Sequence, residues 1–193
     1  MDRRDERGWV EVICGPMFSG KSEELIRRMT RYQIARIPVQ TFKPSLDDRF
    51  ATHEVVSHSA LSVAAEPVAD SDALLKAVKD RTEVVGIDEG QFFDDGLVEV
   101  VERLAAAGKR VIVAGLDQDF LGRPFEPIPS LMLRAEYVTK ALAVCHRCGG
   151  AGMFTQRVIE SDELVVLGAQ DAYEARCRRC YDPTESQQTR LEV

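Results

Sequence analysis

The sequence predicts an α/β protein: a mostly parallel sheet with helices on both faces, and a small second lobe at its C-terminal end. Three observations lead there. Gly15 to Ser22 (Gly-Pro-Met-Phe-Ser-Gly-Lys-Ser) match the phosphate-binding pattern G-x-x-x-x-G-K-[ST] without a break, between an apolar strand and a helical stretch. Near-continuous apolar runs alternate with helical patterns over the first two thirds of the chain, as in a sheet buried on both sides. Four cysteines form two C-x-x-C pairs, Cys145 with Cys148 and Cys177 with Cys180, where the composition shifts.

Trp9 to Cys14 reads as a short strand that runs into the phosphate-binding turn, and Lys21 to about Arg36 as a helix. Val39 to Pro44 is the second strand, ended by its proline, with a polar segment following to about residue 54. Val55 to His58 and Leu61 to Val63 are short and ambiguous, and Val63 to Val68 is another strand candidate. Asp72 to Val78 forms a helix with Ser71 as candidate N-cap. Glu83 to Asp88 is a buried-type strand ending in acid, Gly96 to Ala107 a helix stopped by Gly108, and Arg110 to Leu116 a further apolar strand. Ligands of such sheets sit beyond the carboxyl ends of the strands, where the phosphate turn, Asp88 and Leu116 all fall. Asp117 to Leu133, with Gly122, Pro124, Pro127 and Pro129, reads as an ordered loop near that edge, and Tyr137 to Val144 as a last strand. The division expected is a nucleotide-binding domain over 9–140, a metal-bound lobe over 141–182 and a polar tail over 183–193.

The 193 residues carry a formal net charge of -7 and are 45% hydrophobic, enough for one real core. The acidic balance opposes nonspecific binding to nucleic acid or to an anionic membrane. No apolar run is long enough to span a bilayer, and the charged N-terminus lacks the apolar stretch of a secretory signal, so a cytoplasmic location is expected. Five cysteines, an odd number, suit a reducing compartment with a metal better than a disulfide framework.

The chemistry follows from residue types. Gly15 and Gly20 let backbone N–H groups turn inward on phosphate oxygens. Pro16, Met17, Phe18 and Ser19 form the rest of that turn, Lys21 reaches the β/γ-phosphates, and Ser22 ligates Mg²⁺. Asp88, at a neighbouring strand end, is placed to hold the same metal through water, and Glu89 beside it to accept a proton from an attacking hydroxyl or water. A solvated acidic turn is the plainer alternative. Two C-x-x-C knuckles supply a closed four-thiolate Zn²⁺ site, which staples rather than catalyses, although each pair alone is also a redox pattern. Their spacer, 149–176, is longer than in a zinc ribbon and implies a loop thrown out and returned. Cys14 reads as a buried strand residue, and His53, His58 and His146 as surface or loop histidines. Arg49, in Asp47-Asp48-Arg49-Phe50, can reach phosphates from a polar loop or merely be solvated. A nucleoside kinase, an ATPase whose Glu89 activates water, and a zinc module with a nucleotide sensor all remain open at this level.

The ordered set Gly-Pro-Met-Phe-Ser-Gly-Lys-Ser, Asp-Asp-Arg-Phe, Val-Val-Ser-His-Ser-Ala-Leu, Ile-Asp-Glu-Gly-Gln-Phe-Phe, Gly-Leu-Asp-Gln-Asp-Phe and the paired knuckles resembles the type II thymidine kinases over about residues 9 to 181. The resemblance implies a P-loop (RecA-like) core, ATP with Mg²⁺, a structural Zn²⁺, and transfer of the γ-phosphate to the 5′-hydroxyl of thymidine; a pocket for the 5-methyl group would discriminate by only about 1–3 kcal/mol, so deoxyuridine is expected as a poorer substrate rather than an excluded one. It implies Glu89 as general base, with Arg49, Asp88 and Gln91 on the ATP and metal side. It implies Met17, Phe93, Leu116, Phe120, Phe125, Thr155 and Tyr173 as the nucleoside pocket, and a lasso loop, including Val166, Leu167, Gly168, Ala169, Gln170 and Asp171, whose backbone reads the base. A homotetramer and feedback by thymidine triphosphate are further implications. Phe50 stands where many members carry tyrosine, and Gln170 at a position often small.

Overall fold

A computed structural model describes residues 8–45, 54–56, 62–159 and 172–184. Six strands form one sheet in the order β5-β2-β6-β7-β1-β8, with every neighbouring pair parallel. They are β1 (Trp9–Cys14), β2 (Val39–Pro44), β5 (Glu66–Val68), β6 (Val84–Ile87), β7 (Arg110–Gly115) and β8 (Tyr137–Lys140). Beside the sheet, β3 (Glu54–Val56) pairs with β4 (Ser62–Ala64). Nearer the C-terminus, β9 (Ala143–Val144) pairs with β10 (Ala151–Gly152), and β11 (Phe154–Arg157) with β12 (Tyr173–Arg176).

Side-chain alternation divides the core in two. Ile13, Val84, Ile112 and Ala114 face one side, against Leu25, Ile26 and Met29 of α1 (Lys21–Ile34). Val12, Val85, Ile87, Val111 and Val113 face the other. There they meet Leu74 of α2 (Ser71–Ala77), Leu97, Val101 and Leu104 of α3 (Leu97–Ala106), and Ile128 and Leu131 of α4 (Ile128–Met132). Each such side chain contributes roughly 1.5–3 kcal/mol relative to exposure. This core holds the strand ends, and hence the site, in place. Among the described residues, no helix is long and apolar enough to cross a membrane.

Three local expectations need correcting. The N-cap of α2 is Asp70, whose carboxylate accepts from Ala73 N at 2.7 Å. Ser71 instead donates from N and Oγ to Asp94, at 2.9 and 2.7 Å, tying α2 to the start of α3. The stretch 117–133 contains α4, because Pro127 and Pro129 sit where a helix tolerates proline, at its N-terminal end. The last strand breaks after Lys140. It pairs with β1 only as far as Cys14, where the chain turns off at Gly15, and Ala143–Val144 joins the small β9–β10 ribbon instead.

Candidate active site and metal centre

The phosphate-binding turn joins β1 to α1. Gly15 has φ 141° and Gly20 φ 78°, both in territory that favours glycine. A methyl group on Gly15 would lie 2.3 Å from the Ala141 carbonyl oxygen, so the turn also needs a missing side chain there. Gly20 is the N-cap of α1, which aims the helix's free N–H groups and positive end at the turn. Ser19 Oγ and Lys21 Nζ both donate to the Pro16 carbonyl, at 2.8 and 2.7 Å. Burial pulls the Lys21 ammonium below the ordinary lysine range, and the charges of Glu89, Asp88 and Asp117 oppose that shift.

Two strands away, β6 delivers Asp88 and Glu89 to the same edge. Ser22 Oγ donates to Asp88 Oδ1 at 3.2 Å. Asp88 is 6% exposed, and its carboxyl is pushed up to about 7 by burial and then by neighbouring Glu89. The Ser22 hydroxyl and Lys21 act against that rise. A hydroxyl and a buried, hard-to-ionise carboxylate are an oxygen donor pair that a divalent cation would relieve, so Ser22 and Asp88 fit Mg²⁺. Glu89 itself adopts φ 51°, ψ 41°, a left-handed conformation unusual outside glycine. It is held there from the front: Gln91 Nε2 donates to Glu89 Oε2 at 2.5 Å, while Gln91 Oε1 accepts from Leu116 N at 2.9 Å. Gln91, expected beside the nucleotide, is buried and bridges the β6 and β7 ends through these bonds.

The loop after β7 forms a wall. Phe125 meets Phe92 edge-to-face, centroids 6.1 Å apart. The Arg157 guanidinium lies 3.7 Å over the Phe120 ring and donates to Tyr173 Oη at 3.0 Å. Met17 N donates to Thr155 Oγ1 at 3.0 Å, joining the phosphate turn to β11. Tyr181 stacks on Phe154 and donates to the Phe120 carbonyl at 3.0 Å. Of the residues expected to line a pocket, Met17, Leu116, Phe120, Phe125, Thr155 and Tyr173 therefore come to this wall. Phe93 does not: it is 7% exposed and packed in the core with Leu74 and Leu97, and it is Phe92 that meets Phe125. The 3₁₀ turn at Gly90–Phe92 sets which of the two aromatics points outward, and composition carries no signal of it. Arg157 and Tyr181 were also missed, since each acts through contacts distant in sequence. Arg49, Val166 to Asp171, His53 and His58 lie outside the described residues.

The Sγ atoms of Cys145, Cys148, Cys177 and Cys180 all lie within 4.8 Å of one another. Tetrahedral zinc–thiolate bonds of ~2.3 Å require S···S of about 3.8 Å, so the four thiols fit a closed zinc site. His146 is not among the clustered ligand atoms, and its Nδ1 accepts from Ala175 N at 3.1 Å. Its ring instead meets Phe18 of the phosphate turn edge-on at 5.7 Å. Cys14 is fully buried, and burial pushes its thiol up to about 11, as expected of an inert strand residue.

The chain matches the family model described as thymidine kinase over residues 8–181. Among curated proteins, a thymidine kinase from Rhodothermus sp. (strain ITI 518) is 54% identical over 176 residues, covering 91% of this chain and 82% of that protein.

Proposed function

The chain belongs to the thymidine kinase family, and from that premise we propose that it transfers the γ-phosphoryl group of ATP to the 5′-hydroxyl of thymidine. The supporting observation is the convergence of Lys21, Ser22, Asp88 and Glu89 at one edge of the sheet, with Ser22 and Asp88 in direct contact. In this reading the 5′-oxygen attacks the γ-phosphorus while Glu89 takes the hydroxyl proton. The bond to the β-phosphate bridging oxygen breaks, and ADP leaves with that electron pair. Lys21 and the free N–H groups at the N-terminal end of α1 balance charge on the phosphates. Ser22 and Asp88 would hold Mg²⁺, which would supply positive charge to the phosphates. Arg49 is assigned to the phosphates. Gln91 positions Glu89 rather than touching nucleotide.

The nucleoside lies, in this proposal, against Met17, Phe92, Leu116, Phe120, Phe125, Thr155 and Tyr173, with backbone from Val166 to Asp171 reading the base edge. A pocket for the 5-methyl group adds only about 1–3 kcal/mol of discrimination, so deoxyuridine is a poorer substrate rather than an excluded one. Zn²⁺ at the four cysteines is structural. The domain division stays at 9–140 and 141–182, with 183–193 as a tail. Cytoplasmic location, a homotetramer and inhibition by thymidine triphosphate complete the proposal. Incubation with ATP and thymidine tests it: thymidine monophosphate and ADP should form in equal amounts. ATP hydrolysis indifferent to any nucleoside would overturn the kinase in favour of an ATPase.

A further inference from the structure

We propose that Asp117 and Lys140 form a positioning strut for the phosphate-binding turn, acting on ATP through Gly15 rather than by contact with it. The inference rests on the reading of residues 15–22 as the seat of ATP.

Strand β1 lies between β7 and β8. At its last residue, Cys14 is paired with Gly115 of β7 on one side and Lys140 of β8 on the other. Asp117 follows two residues after Gly115, and its Oδ2 lies 2.6 Å from Lys140 Nζ. The ion pair therefore spans the carboxyl end of the very strand that turns into Gly15. Two further observations place the residue after β8 against the start of the turn. Ala141 N donates to the Cys14 carbonyl at 2.8 Å, and a Cβ on Gly15 would collide with the Ala141 oxygen. A shift of β8 against β7 is thus passed directly to the first glycine of the turn.

The chemistry of Asp117 argues that its charge has a use. The residue is 5% exposed, and its Oδ1 has no hydrogen-bond partner among the described residues. A half-satisfied buried carboxylate is costly, and an asparagine would fill the same space without a charge. The charge supplies the grip on Lys140, whose side chain remains 37% exposed, and also bears on the buried Lys21 ammonium. Phe125 N also donates to the Asp117 carbonyl at 3.1 Å, so the strut is anchored in the loop that carries the aromatic wall.

Calorimetry of a non-hydrolysable ATP analogue and, separately, of thymidine distinguishes the possibilities. Asp117→Asn and Lys140→Met should each weaken the analogue about tenfold, with thymidine affinity within about twofold of the parent. The double variant should bind no worse than the weaker single one, because one strut is lost only once. Should Asp117→Asn fail to fold, Lys140→Met alone decides, since the half-exposed lysine can be truncated without opening the core. Unchanged analogue binding, equal losses for both ligands, or losses that multiply to about a hundredfold in the double variant would each overturn the strut. An unaltered parent protein that binds no analogue would instead overturn the seat of ATP itself.

Discussion

Replacing Gln91 with leucine isolates the restraint on the proposed base. Glu89 sits in a left-handed conformation that costs ~1–2 kcal/mol for a residue with a side chain, so something must hold it there. Gln91 grips its carboxylate at 2.5 Å and anchors itself on the Leu116 N–H at 2.9 Å. A hydrogen bond to a charged group is worth ~1.5–3 kcal/mol, comparable with the strain it opposes. Leucine keeps the volume and removes both bonds. If Glu89 is the proton acceptor, its misplacement should appear in the chemical step as a fall in kcat of roughly 10- to 100-fold, at about 1.4 kcal/mol per decade. KM values for ATP and thymidine should move less than about threefold, because neither substrate needs Gln91 for contact. Steady-state assays varying each substrate in turn, with a thermal melt to confirm folding, give all the quantities. A folded Gln91→Leu enzyme with kcat within twofold of the parent would refute the reasoning. So would a rise in KM that accounts for the whole loss.

Glu89→Gln should retain nucleotide affinity by calorimetry and lose turnover by at least about a hundredfold; unchanged turnover would remove Glu89 as base. Asp88 titrates near 7 in the fold against 3.8 normally, so the folded protein holds that proton more tightly. Metal-free stability should therefore fall as pH rises from about 4 to about 7, and Asp88→Asn should flatten that slope in thermal melts; parallel slopes would contradict it. Gly15→Ala should abolish binding of an ATP analogue, since no rotamer can relieve a methyl 2.3 Å from a backbone oxygen; retained affinity would show that the turn can yield. Cys177→Ser, or zinc removal by a chelator, should cost thymidine affinity at least about tenfold more than ATP affinity, and equal losses by calorimetry would count against an anchoring role for the knuckles.

The sheet was legible because its strands are buried on both faces and so read as unbroken apolar runs, as in Val84 to Ile87 and Arg110 to Gly115. The strand–turn–helix setting of Gly15 to Ser22, the place of Asp88 and Glu89 at the end of β6 and the clustering of the four cysteines were legible because each motif puts particular residues at short, fixed spacing. What escaped were relations between distant segments. The Asp117–Lys140 pair, Arg157 on Phe120 and Tyr181 on the Phe120 carbonyl each join separate loops, and no local pattern marks them. Orientation escaped too. Phe92 and Phe93 are chemically identical neighbours, and only the 3₁₀ turn before them sends one into the core. The cap of α2 was misplaced by one residue because Asp70 and Ser71 are both good caps, and the tertiary bond from Ser71 to Asp94 settles the choice.

These distant contacts explain how the four-cysteine cluster would bear on the proposed reaction without lending it a ligand. Three features of the C-terminal segment reach the catalytic edge: Thr155 accepts from the Met17 N–H, His146 packs on Phe18, and Tyr181 holds the Phe120 carbonyl. Two of the three lie beside a cysteine, His146 after Cys145 and Tyr181 after Cys180. The knuckles therefore set the position of side chains that touch the phosphate turn on one flank and the aromatic wall on the other. The contacts are unequal. The phosphate turn keeps its own frame, since Gly15, Gly20 and the Pro16 carbonyl are held by β1, α1 and Lys21. Its contacts with Thr155 and His146 are the Met17 bond and one ring contact, of order 1 kcal/mol each. On the side of Thr155, Arg157 and Tyr173 the wall is built from β11 and β12 themselves. Loosening the lobe therefore falls mainly on whatever the wall binds, and only secondarily on the phosphates.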